Sequence, residues 1–90
     1  MAFSETQLES PCEELGPESA PEDLYRMGLV YSTGMGVATD YVKAHKWFNL
    51  AALRGYTEAK ESRKELADYM SSEEIAEAQK AAREWLKLAH

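Results

Sequence analysis

Few residues in this 90-residue chain are of a type and spacing that could do chemistry. Its one thiol, Cys12, sits among carboxylates, which hold a thiol protonated and unreactive; a single Cys also closes no intrachain disulfide, so an oxidised scaffold is excluded. The two imidazoles, His45 and His90, are far apart and lack the further His or Cys ligands of a zinc set. His45 falls off the apolar face of its segment and is expected in solvent. Gly34-Met35-Gly36 has the look of a phosphate-cradling loop. A dinucleotide fingerprint, however, needs a strand before it, and a phosphate loop needs a following Lys-Ser/Thr. Here a helical pattern precedes the glycines, which read as positive-φ positions of a tight turn. The acids Glu58, Glu61, Glu65, Asp68, Glu73, Glu74, Glu77 and Glu84 alternate with Lys60, Arg63, Lys64, Lys80, Arg83 and Lys87. Mixed charge at helical spacing describes solvated faces, whereas paired acid-base carboxylates need a concave, dry setting that separates their pKa values. No catalytic residue, metal ligand or cofactor site is expected, and the chain is read as non-enzymatic.

The elements follow from caps and periodicity. Pro21 suits a first helical turn, with Glu22 and Asp23 complementing the positive end of the dipole, and a helix over about 22–33 stops at Gly34. Asp40 is a good N-cap for a second helix, on which Tyr41, Ala44, Trp47, Phe48, Ala51 and Ala52 share one face until Gly55 supplies a left-handed C-cap. Thr57 is the expected cap of a third helix reaching about Met70, with Ala59, Ser62, Leu66 and Tyr69 inward. Ser71 and Glu74 form a capping box, and Met70 with Ile75 has the spacing of a hydrophobic staple. The fourth helix they announce carries an apolar stripe of Ile75, Ala78, Ala82, Trp85, Leu86 and Ala89. No segment shows the period of two that marks a strand, so the fold class is all-α.

The composition, 44% hydrophobic and 29% charged with three Pro and five Gly, is that of a chain that mostly folds, as one small domain. Its formal charge of -6 is unevenly placed. Residues 1–23 hold seven acids and no Lys or Arg, while the remainder holds nine acids and ten bases. Residues 1–20, with Pro11, Gly16 and Pro17 among Glu and Ser, read as an acidic, flexible, disordered arm. Neither a basic nucleic-acid footprint nor a polybasic lipid-binding stretch is present, so neither nucleic acid nor membrane is an expected partner. The beginning of the chain lacks the positive and apolar regions of a secretory signal, and no run is long and apolar enough for a membrane span, so a cytoplasmic location is expected.

Shifting the chain by 38 residues places Tyr31 on Tyr69, Ala44 on Ala82, Trp47 on Trp85, Leu50 on Leu88 and Ala51 on Ala89. Matches at inward positions are what a structural repeat requires, and Trp47 and Trp85 read as core anchors. Two stacked antiparallel helical hairpins result, a short solenoid with repeat one at 21–56 and a degenerate second hairpin at 57–90. Residues 25–55 carry Gly28, Tyr31, Gly34, Gly36, Val37, Asp40, Lys43, Ala44, Trp47, Phe48, Ala51, Ala52 and Gly55. With these, the segment closely resembles the Sel-1-like repeat, a relative of the tetratricopeptide repeat. The resemblance implies an adaptor or scaffold that docks proteins along the groove lined by first helices. Hydrolases among the cysteine-rich members of the family are secreted and disulfide-stapled, which fits one Cys poorly. Where the family has a small Ala near the start of the first helix, this chain has Asp23. A buried carboxylate there is costly, so the hairpin is expected to be the first of its stack.

The first helix carries the functional hint. Leu24, Met27, Gly28 and Tyr31 form its inward arc, yet Leu29 and Val30 lie opposite, beside Arg26 and Thr33. A helix apolar nearly all round needs cover on more than one side. Arrays usually need about three repeats, so the acidic arm, a second copy of the chain or another protein is expected to supply that cover. Arg26, Leu29, Val30 and Thr33 are the expected contacts with a protein partner or within a homo-oligomer. A self-assembling structural subunit is the other reading.

Overall fold

The computed structural model describes residues 15, 16 and 18–88. Four helices follow in order: α1 (Pro21–Thr33), α2 (Tyr41–Leu53), α3 (Thr57–Ala67) and α4 (Ser72–Leu88), with no strand among the described residues. The fold is all-α, as expected.

Most helix ends are set by local chemistry. Pro21 sits in the first turn of α1 with Glu22 and Asp23. Gly34 ends the helix in the left-handed region, at φ 75°, and its N–H donates to the Val30 carbonyl at 2.9 Å. The loop then folds back, Asp40 N–H donating to the Tyr31 carbonyl at 2.9 Å. The Asp40 carboxylate accepts from Lys43 N–H at 3.1 Å and caps α2. At the far end of α2, Gly55 has φ 95°. Tyr56 N–H donates to Ala51 O and Gly55 N–H to Ala52 O, both at 3.0 Å, the paired bonds of a Schellman motif. The capping box of α4 is complete: Glu74 N–H donates to Ser71 Oγ at 3.1 Å and Ser71 N–H to Glu74 Oε1 at 2.9 Å.

Helix α3 departs from its expectation at both ends. Tyr56, not Thr57, occupies its N-cap and provides no side-chain bond. The helix stops at Ala67, short of Met70, in tight turns where Asp68, Tyr69 and Met70 donate to the carbonyls three residues back. Tyr69 therefore leaves the inward line and is 76% exposed.

Helix α2 is the centre of the molecule. It packs against α1, α3 and α4, while α3 and α4 each lean on α2 more than on one another. Ala44, Trp47, Phe48, Leu50, Ala51 and Ala52 are buried along it, meeting Leu24, Met27 and Tyr31 of α1, Ala59 and Leu66 of α3, and Ala82 of α4. The small residues let the helices approach closely. Trp47 anchors the core and meets the half-buried Trp85 edge to face, ring centroids 5.7 Å apart. Tyr41, expected on the same face, stands at its rim, partly exposed.

His45 corrects the expectation of a solvated side chain: it is 3% exposed. A helix walled on three sides has little face left for water. Its Nδ1 has no hydrogen-bond partner among the described residues, and burial, helped by the nearby Arg63 guanidinium, pushes its pKa below 6.5.

Of the expected arm, residues 1–14 and 17, including Cys12, lie outside the described residues, as do Ala89 and His90. The rest of it is built onto the repeat. Leu15 packs half-buried against the core. Gly16 N–H donates to Ser19 Oγ at 2.8 Å, Ser19 N–H to Gly16 O at 3.0 Å, and Arg54 to Ser19 O at 3.1 Å. No described helix is long and apolar enough to cross a membrane.

Candidate functional site

The two flanks of α1 meet different surroundings. On the flank toward α3, the Tyr25 hydroxyl and Ser62 Oγ are 3.1 Å apart, and the Tyr25 ring packs between Phe48 and Tyr56 at 5.4 and 4.9 Å. Above this contact α1 and α3 part, leaving a groove of about 220 Å³ lined by Leu29, Ser32, Tyr41, Phe48, Ser62, Glu65, Leu66 and Tyr69. Phe48 and Leu66 are buried and form its floor, whereas Leu29, Tyr41 and Tyr69 are exposed along its walls. Large apolar side chains are thus held open to water beside an apolar floor, the arrangement of an interaction site.

The four residues singled out in the sequence share one stripe of α1 but meet different surroundings. Leu29 lines the groove. Val30, one residue on, packs half-buried against the core. Arg26 is exposed and pairs with Asp23 at 2.9 Å. The Thr33 hydroxyl donates to the Leu29 carbonyl at 2.7 Å. Asp23 itself keeps its side chain 45% exposed and so stays hydrated. Sequence reasoning missed Tyr41 and Tyr69, which it assigned inward, and Glu65, which it read as part of a solvated face. The signal was positional: each tyrosine sits at or beyond the end of its helix, where periodicity no longer fixes direction.

A second, wider cleft of about 390 Å³ lies between α2 and α4, lined by Asp40, Val42, Lys43, Lys46, Glu77 and Ala81. Lysine stems roof this region. Lys43 Nζ stands 5.3 Å from the Tyr31 ring centroid and Lys46 Nζ 4.3 Å from that of Trp47. It has mixed charge and none of the exposed aromatic walls of the first groove.

At the lower end of the α1–α3 flank, Tyr56 titrates above its ordinary value. The cause is first its hydrogen bond to Glu58, then loss of water, then the negative charges of Glu58 and Glu22. Among the described residues no group of three or more His, Cys, Asp or Glu is placed to hold a metal ion.

Stacked helical pairs with small-residue seams and paired tryptophans at equivalent positions define a helical-repeat protein. The Sel1 repeat model matches residues 21–56 and 65–89, and the chain belongs to that family. The first match spans all of α1 and α2 and the second begins inside α3. Sel1 repeats commonly mediate protein–protein interaction and generally serve as non-catalytic scaffolds. No curated protein and no solved structure matches the chain.

Proposed function

We propose that this chain is a protein–protein interaction module, an adaptor or scaffold, whose partner docks in the groove between α1 and α3. One observation carries the reading: Leu29, Tyr41 and Tyr69 stand exposed around a floor of buried Phe48 and Leu66, between the first helices of the two hairpins. In this reading the module is cytoplasmic, catalyses nothing, needs no cofactor and contacts neither nucleic acid nor membrane. Its organisation is an acidic arm over 1–20 and a repeat domain over 21–90, divided at 56/57. Arg26, Val30 and Thr33 serve as an outer rim beside Leu29, and a second copy of the chain is the other partner considered.

The test is Leu29→Glu, alone and with Val30→Glu. Because Leu29 is exposed, the single variant should fold within about 0.5 kcal/mol of the parent, whereas Val30→Glu places a charge against the core. Association with the cellular partner, read by quantitative affinity capture, and self-association, read by sedimentation, should weaken by about 30-fold, as for a central apolar contact of about 2 kcal/mol. Unchanged association by both measures rejects the groove as the docking face.

A further inference from the structure

The rim of the same groove is chemically one-sided. At about 100° per residue, Glu58, Glu61, Glu65 and Asp68 of the α3 region fall within one arc, on the side where Ser62, Glu65 and Tyr69 line the groove. Lys60 and Arg63 fall on the other side, where Arg63 donates to Asn49 of α2 at 2.6 Å, and Lys64 borders the acidic arc beside Asp68, on the edge away from Ser62 and Tyr69. Among the described residues no ion pair engages Glu61, Glu65 or Asp68, and no Lys or Arg lines the groove. On the α1 side Glu22 adds negative charge close enough to act on Tyr56. A row of carboxylates beside an apolar floor attracts cations more strongly than the same charges on an open surface, because the low-dielectric wall focuses the field.

We propose that the α1–α3 groove docks a positively charged protein segment bearing one large apolar or aromatic side chain. The apolar group enters between Leu29 and Tyr69 above Phe48, and Lys or Arg residues flanking it meet the Glu58–Asp68 row and the faces of Tyr41 and Tyr69. The inference rests on the docking reading above and adds the chemistry of the occupant. The chain's own leader does not fit, because residues 1–23 carry seven acids and no base and are repelled by the rim. The acidic leader instead adds to the long-range attraction of a basic partner.

The experiment titrates the full chain into three labelled peptides of equal length, each with the same central Leu-Phe pair flanked by Lys and Arg, by Ser, or by Glu. The basic peptide is expected to bind, and to bind more weakly as salt is raised. Its affinity should drop roughly tenfold with Glu58→Gln/Glu65→Gln and with Leu29→Ser. Glu73→Gln/Glu84→Gln, which removes as much charge from exposed positions on α4, should leave it unchanged. Equal binding of the Ser peptide, or equal weakening by the α4 variant, overturns the proposal. So does a concentration-dependent dimer that the Glu58→Gln/Glu65→Gln variant abolishes, which assigns the groove to a second copy. Failure of every peptide to bind overturns it too; if Leu29→Glu still abolishes partner association, the docking function survives that failure.

Discussion

At Gly28, α1 approaches the Phe48 side chain of α2 closely. A Cβ built there lands in the ring of Phe48, which is 2% exposed and held against Tyr25. In an unobstructed helix interior, Ala is better than Gly by roughly 0.5–1 kcal/mol. Here overpacking outweighs that gain, and Gly28→Ala is expected to lose about 1–3 kcal/mol in urea or thermal unfolding; a more stable variant would show that Phe48 has room to swing aside. His45 makes a second prediction at this scale. Its neutral form is favoured in the fold, so the unfolded chain binds the proton more readily. Stability should be full above about pH 6.5 and fall progressively as the pH drops from there toward the lower folded value. In His45→Leu, the loss in melting temperature between pH 7.5 and 5.5 should be smaller than in the parent; an equal loss would place the sensitivity elsewhere. The inward position of Gly28 was legible from helical period. The burial of His45 was not, because period gives the direction of a side chain and not the number of helices standing around it.

At the scale of elements, the caps were the most legible feature, since each is a local bond between neighbours in sequence. Asp40, Gly55 and the Ser71–Glu74 pair all work as their types predict. Ser71→Ala should cost about 1 kcal/mol, read in urea unfolding, and should fray the first turn of α4; no change would mean that packing alone starts that helix. Helix α3 was the least legible. With only Ala59 and Leu66 buried, its apolar pattern is too sparse to fix its end. The early stop turns Tyr69 outward and creates one wall of the groove. The segregation of acids and bases on α3 is visible in the sequence as spacing, but which side faces α1 is decided by tertiary packing.

For the whole molecule, the repeat was legible because Ala44 and Trp47 recur at a fixed offset as the inward Ala82 and Trp85, although Tyr69 and Leu88, the counterparts of buried Tyr31 and Leu50, are exposed. In the folded protein the equivalent tryptophans of the two copies also touch. The candidate groove was only partly legible. Leu29 was found through the unusual apolarity of α1, but Tyr41, Leu66 and Tyr69 join it through the relative placement of three helices, which no local pattern encodes. The same holds for Leu15, whose contact with the core rests on a fold-back fixed partly by Arg54, far along the chain.

The central position of α2 has a consequence for how such a protein can be taken apart. In longer arrays each unit touches only the next, and units are gained or lost at their borders. Here the border between the two matched stretches runs along one wall of the most enclosed helix. A cut at Tyr56 would leave the upstream fragment with Trp47 and Ala59's neighbours on α2 bared to water, and the downstream fragment without a floor. The smallest piece that can be copied, transplanted or inherited intact is therefore α2 together with all three helices around it.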